Sequence, residues 1–236
     1  MSVKITWIGQ AGFILKSSGA SISVDPFCGQ PKDSSKRLYE TDIVKGSVHV
    51  DAVVSTHPHW DHFDPETYRD FILPGVIIGP TSCMKALKNS DLAGKVPGLT
   101  LNIGESTTVG DMTITATVAE HDADSIGVVV ECEGKKFYFS GDTLFTSRLL
   151  MRNSRMAPDI AFICINGKLG NMNYMEASLY SDVLRAKVAV PTHYDTIENN
   201  TENPENFISG LSRLAPDTKG LILQRGVEYD AAELLR

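Results

Sequence analysis

The stretch Thr56-His57-Pro58-His59-Trp60-Asp61-His62 gathers three imidazoles and a carboxylate within six residues, directly after the apolar run Ala52-Val53-Val54. Neutral imidazole and carboxylate at this density are ligand types for zinc, manganese or iron. On an extended backbone His57, His59 and Asp61 would share a side, and a tight loop would bring His62 round from the other. That spacing can serve two neighbouring metals rather than one. Three more ligand-type residues follow apolar strands further on. The alternation Met112-Ile114-Ala116-Val118 leads to His121, Phe137-Tyr138-Phe139 leads to Asp142, and Val188-Ala189-Val190 leads to His193. Any one of these alone is an ordinary core histidine or an ordinary turn. Together with the first cluster they use five of the six histidines, each at the C-terminal end of a strand, where α/β folds assemble their sites.

The elements that must hold these residues can be read from patterning. Val3-Ile5-Trp7 alternates as a strand, Gly9 to Gly12 turns the chain into Phe13-Ile14-Leu15, and Ser21 to Val24 runs into Asp25-Pro26. Asp25 reads equally as a carboxylate supporting the site or as an Asx-Pro turn residue. Residues 28–49 are polar and irregular and predict a surface excursion, with His49 outside the ligand pattern. Asp64-Pro65 marks a helix start running to Phe71, Val76 to Ile78 a buried strand, and Thr81 a short helix. Strands follow at Leu99–Ile103 and Thr107–Val109, and Glu133-Gly134-Lys135 predicts a hairpin turn between Val128–Val130 and Phe137–Phe139. The last third alternates: a helix over Phe145–Met156, a strand at Ile160–Ile163, a helix capped by Asn173 with Glu176, and one capped by Asn203 before Pro204. Strands at Leu221–Leu223 and Val227–Tyr229 close the chain. No linker divides residues 1–236, so the expectation is one α/β domain of two packed sheets flanked by helices.

Composition narrows the classes. With 42% hydrophobic and 22% charged residues the 236-residue chain has the balance of a soluble globular protein, large enough for a sizeable core. A net charge of −7 and no Lys/Arg-rich arm disfavour nucleic acid and anionic membranes as partners. Cys28, Cys83, Cys132 and Cys164 form no CxxC pair and sit in or beside apolar stretches, which predicts buried free thiols. Met1 to Ile8 has no signal-peptide pattern and no run approaches the ~20 apolar residues of a membrane span, so the expected location is cytoplasmic.

His57-x-His59-x-Asp61-His62 followed by His121, Asp142 and His193 resembles the signature of the metallo-β-lactamase-fold superfamily, in order and over nearly the full length. The resemblance implies an αββα four-layer sandwich. It also implies that His57, His59 and His121 hold one metal, that Asp61, His62 and His193 hold a second, and that Asp142 bridges. Ile165-Asn166-Gly167-Lys168, Gly170-Asn171-Met172 and Pro191-Thr192-His193-Tyr194-Asp195 are similar to the branch that includes L-ascorbate-6-phosphate lactonase, as is the opening Ile5-x-Trp7-x-Gly9-x-Ala11-Gly12-Phe13. Between Lys168 and Gly170 this chain has only Leu169, where relatives tend to carry a longer segment.

One or two divalent ions, zinc or manganese, are therefore the expected cofactors. Such an ion lowers the pKa of bound water towards ~7 and supplies hydroxide for attack on a carbonyl or phosphoryl centre. Asp61 is the candidate to orient that nucleophile or move its proton, and no Gly-x-Ser-x-Gly elbow competes for the role. The expected activity is hydrolysis of a small ester-like molecule, a lactone foremost. A phosphodiesterase or nuclease on the same fold and a non-catalytic metal-binding domain stay open, as does a homo-oligomer. Asn166, Lys168, Asn171 and Tyr194 are the candidate substrate contacts. Lys168 is expected to meet a carboxylate or phosphate, because a cluster rich in carboxylates otherwise repels an anionic substrate.

Overall fold

The first sheet grows from the alternation at the N-terminus. β1 (Lys4–Gly9) and β2 (Gly12–Lys16) pair antiparallel about Gln10-Ala11, and burial of Ile5, Trp7, Phe13 and Leu15 turns one face inward. This is a computed structural model describing residues 2–236; Met1, the first residue of the segment read as lacking a signal peptide, lies outside the described residues. β3 (Ser21–Val24) and β4 (Val48–Val54) follow, and β4 is parallel to β3 because the long 25–47 connection crosses back along the sheet. Asp64 caps α1 (Pro65–Asp70) by accepting from the backbone N–H groups of Glu66 and Thr67. β5 (Ile72–Gly79), α2 (Thr81–Lys88) and β6 (Gly98–Thr100) complete this half.

The second half repeats the plan. β7 (Ser106–Val109), β8 (Met112–Val118), β9 (Ile126–Cys132) and β10 (Lys135–Phe139) form an antiparallel run. Glu133 and Gly134, at φ of 50° and 70°, give the hairpin turn between β9 and β10. Then come α3 (Ser147–Asn153), β11 (Ile160–Cys164), α4 (Tyr174–Leu184) with an Asn173/Glu176 capping box, β12 (Val188–Thr192), α5 (Pro204–Leu214) and β13 (Lys219–Gly220). β14 (Glu228–Asp230) returns to β1 in the first sheet, and α6 (Ala231–Leu234) ends the chain.

Both sheets are seven-stranded and mixed, in the orders β14-β1-β2-β3-β4-β5-β6 and β13-β12-β11-β10-β9-β8-β7. Their facing sides share one core, with Ile5, Phe13 and Leu15 meeting Ile114, Phe139 and Phe162. Tyr68, Cys83, Met84 and Leu87 carry α1 and α2 on the outer side of the first sheet, while α3, α4 and α5 cover the second. The layers are helix, sheet, sheet, helix, the αββα arrangement of a metallo-β-lactamase fold.

Some boundaries differ from the sequence expectation. The closing strand is Lys219–Gly220 rather than Leu221–Leu223, because after Leu221 donates to Ala189 the chain leaves the sheet edge. His49 belongs to β4, on its exposed side. The polar 28–47 excursion has no helix or regular strand, yet it is tied down. Arg37 donates to the carbonyls of Phe27, Gly29 and Tyr39, Leu38 donates to Thr196, and Glu198 donates to Lys36. The four cysteines are all free and buried. Among the described residues no helix is long and apolar enough to cross a membrane.

Candidate metal centre

The C-terminal ends of β1, β3, β4, β8, β10, β11 and β12 meet at one edge of the sandwich. Parallel β3/β4 and β10/β11/β12 pairings point their ends the same way, and two antiparallel steps bring β8 into line with β10. The segment after β4 is a tight turn rather than extended chain, with His62 and Phe63 both donating to the His59 carbonyl. Alternation therefore does not decide the grouping. The turn sends Asp61 away from His57 and His59 and towards His62 and His193.

Three nitrogens converge on one side: His57 Nε2 lies 3.0 Å and His121 Nε2 3.2 Å from His59 Nδ1. On the other side His193 Nε2 is 3.4 Å and His62 Nε2 3.8 Å from Asp61 Oδ2. Asp142 stands between. Its Oδ2 is 4.0 Å from His57 and 3.8 Å from His121, and its Oδ1 is 3.2 Å from both His62 and His193.

The outward ring nitrogens are also engaged. His57 Nδ1 lies 3.0 Å from Thr56 Oγ1, His59 Nε2 3.1 Å from Asp122, His62 Nδ1 2.8 Å from Asp25 and His121 Nδ1 3.1 Å from the Gly170 carbonyl. Such partners fix ring orientation and turn the inward nitrogens towards one another, where a metal ion can displace any proton they carry. Asp25 is thus a supporting carboxylate, and it also accepts from Thr56 N and Oγ1. Gln10, which the sequence did not single out, donates to Asp61 Oδ2 at 2.8 Å.

Electrostatics sort the groups. Burial pushes the His57 imidazolium well below its ordinary value, and neighbouring His62 adds to this. Burial acts the same way on His62 and His193, but the surrounding carboxylates outweigh it. Asp142, Asp61 and Asp25 hold His62 well above its ordinary range, and Asp142 and Asp61 raise His193 to about 9. Burial favours protonated Asp61 and Asp142, yet His62 and His193 keep both carboxyls far below the usual carboxylate range. His62 Nε2 and Asp142 Oδ1 are buried 3.2 Å apart, yet they are not aligned to hydrogen-bond each other and have no other partner. Converging ring nitrogens, orphaned buried polar atoms and a mixed imidazole–carboxylate donor set fit one or two divalent cations.

Above the cluster lies a cavity of about 360 Å³ with His59, Asp61, Asp142 and His193 at its floor. Its walls are Trp60, Leu169, Ile197 and Asn200, with Asp33 and Ser35 from the 28–47 excursion at the mouth. None of the four candidate substrate contacts lines it. Lys168 Nζ donates to the Asn199 carbonyl at 3.2 Å, and Asn166 lies behind Asn200, donating to its Oδ1 at 2.8 Å. Asn171 is buried with both amide atoms unpartnered. Tyr194 stacks on Trp7 at 4.9 Å and faces a separate groove beside Arg225. Of the glycines around Lys168, Gly167 packs on Asn173 and Gly170 on the ligand cluster: a Cβ on Gly170, at φ +89°, would sit 2.8 Å from His121 Nδ1. Asn200 and Ile197 carried no sequence signal, since they reach the cavity from an irregular loop after β12.

The family model for the β-lactamase superfamily domain matches residues 4–193. A UPF0173 metal-dependent hydrolase from Methanopyrus kandleri is 25% identical over 97% of this chain and 100% of its own length. Another from Archaeoglobus fulgidus is 26% identical over 97% of this chain and 99% of its own. Among solved structures, Igni18, a metallo hydrolase from Ignicoccus hospitalis, superposes with a TM-score of 0.74 at 23% identity, covering 98% of this chain and 99% of the other.

Proposed function

This chain belongs to the metallo-β-lactamase superfamily, and from that premise we propose that it is a metal-dependent hydrolase of a small ester-like molecule, with a lactone as the favoured substrate. The observation that carries the reading is Asp142, whose two oxygens face two separate groups of ligands at the floor of an open cavity. His57, His59 and His121 would hold one ion, Asp61, His62 and His193 a second, and Asp142 would be shared. Zinc or manganese suits those donors. Bound there, a divalent cation supplies Lewis acidity, which acidifies water and polarises a carbonyl.

The chain's own residues do the rest. Gln10 holds Asp61 through Oδ2, so the Asp61 carboxylate has a set direction at the cavity floor from which to orient water and accept its proton. Asp122 and the Gly170 carbonyl hold the rings of His59 and His121. Trp60, Leu169 and Ile197 exclude water from one side of the substrate. A polynucleotide substrate is disfavoured by the net charge of −7 and by a cavity wall without Lys or Arg among the described residues.

The test is turnover by protein loaded separately with zinc and with manganese, on lactones, thioesters and bis-p-nitrophenyl phosphate. Lactone hydrolysis that stops on chelation supports the proposal. Preference for the phosphodiester replaces it with phosphodiesterase chemistry, and stoichiometric metal without turnover of any class makes the site structural.

A further inference from the structure

Asn200 is 9% exposed and forms part of the cavity wall above the ligand cluster. Its Oδ1 accepts from Asn166 Nδ2 at 2.8 Å. The Asn166 amide is itself oriented, because the same Nδ2 faces the Lys168 carbonyl at 3.4 Å and a flipped amide would set oxygen against oxygen there. With Oδ1 committed and Nδ2 making no hydrogen bond among the described residues, the NH2 group is the donor that Asn200 has left to offer the cavity it lines. The remaining wall is apolar: Trp60, Ile197 and the side chain of Leu169, which is 77% exposed at the rim.

The charges around the cavity complete the picture. Among the described residues no Lys or Arg lines it, and Asp33 stands at the mouth. Three nearby cations are engaged elsewhere, and Lys36, exposed beside Ser35, does not line the cavity. Lys32 pairs with Asp64 and Glu66 at 3.5 Å, Arg37 serves backbone carbonyls, and Lys168 donates to Asn199. A substrate whose distal part carried a carboxylate or phosphate would place it against Asp33 and an apolar wall, with no counter-ion.

We infer that the cavity takes an uncharged acyl compound with an apolar arm, seated by a hydrogen bond from Asn200 Nδ2 to a substrate oxygen while the arm lies against Trp60, Leu169 and Ile197. Asn166 is the positioning residue for that donor. The inference rests on the hydrolytic reading above, so its test uses binding. Metal-loaded protein is titrated calorimetrically with an aryl-alkyl amide too inert to be cleaved, and with the same amide bearing a carboxylate at the far end of its aryl ring. The neutral amide should bind at least about tenfold more tightly than its carboxylate partner. Asn200→Ala should weaken it by about tenfold with metal content unchanged, the loss of one hydrogen bond. Asn166→Ala should give a smaller loss, because the donor is still present but no longer aimed. Equal or tighter binding of the carboxylate form, an unaltered Kd in Asn200→Ala, or no binding of either amide would overturn the assignment. Amide binding as described without hydrolysis of any ester or lactone would instead remove the catalytic reading and leave the recognition site standing.

Discussion

At the scale of single residues, Asp142 and Asp25 do different work with the same carboxylate. Asp142 offers one oxygen to His57 and His121 and the other to His62 and His193, so its removal should cost both ions. His121→Ala should lose one ion and leave Asp61, His62 and His193 able to retain the other. Metal content by mass spectrometry after dialysis distinguishes the two variants, and full loading of Asp142→Ala would sink the shared role. Asp25 touches no ion position; it holds His62 Nδ1 at 2.8 Å. Asp25→Asn keeps the size and the turn but weakens the ring's orienting bond, which should lower affinity at that site by about 10–100-fold in a chelator competition. An unaltered affinity would reduce Asp25 to the turn residue that its Asp-Pro context equally suggested.

At the scale of elements, the loop between β11 and α4 supports the metal cluster through Gly170 while its Leu169 lines the cavity. Its Gly170 carbonyl is 3.1 Å from His121 Nδ1, and its φ of +89° is one that only glycine adopts at little cost. Gly170→Ala would push a Cβ to 2.8 Å from that nitrogen, so either the loop or the imidazole must move. The expected result is partial metal loading, with loss confined to the His57/His59/His121 side, and a stability decrease on the order of 1–3 kcal/mol in urea denaturation. Loss of both ions together would place the loop's influence on Asp142 instead.

At the scale of the whole molecule, the sandwich holds His57, His62, His193, Asp61 and Asp142 buried together, and metal-free protein must keep this group neutralised by protons. His193 rises from 6.5 to about 9 because Asp142 and Asp61 face it against the opposing effect of burial. A folded-state value above the unfolded one contributes stability that is full below about 6.5 and is lost as pH rises through about 9. His62, also raised by carboxylates, adds in the same direction, whereas depressed His57 is neutral in both states above its unfolded value near 6.5 and adds no slope there. Metal-free protein should therefore melt at progressively lower temperature from pH 6.5 to 9, and the metal-loaded form should not, since cations replace the protons. A Tm that rises over that window without metal would contradict the proton-for-metal exchange.

How far this was readable without coordinates follows from the range of the interactions. Ligand identity and delivery came from local signals: apolar runs of strand period ending at His57, His121, Asp142 and His193, and a cap or turn at most helix starts. Strand ends gather at one edge of such a fold whatever the loops do, so the seven candidate ligands could be brought together from patterning and resemblance. Grouping was another matter. Whether Asp61 joins His59 or His193 depends on a turn closed by hydrogen bonds to the His59 carbonyl, which alternation does not encode. The cavity wall escaped for the same reason. Trp60, Leu169, Ile197 and Asn200 come from three separate loops, and their meeting depends on how the 28–47 excursion and the segment after β12 bind each other. Lys168 and Tyr194 stood beside the right residues in sequence, but the carbonyl of Asn199 and the ring of Trp7 decide where their side chains go. Backbone periodicity assigns a residue to a strand end, and non-local packing then sets which way it turns.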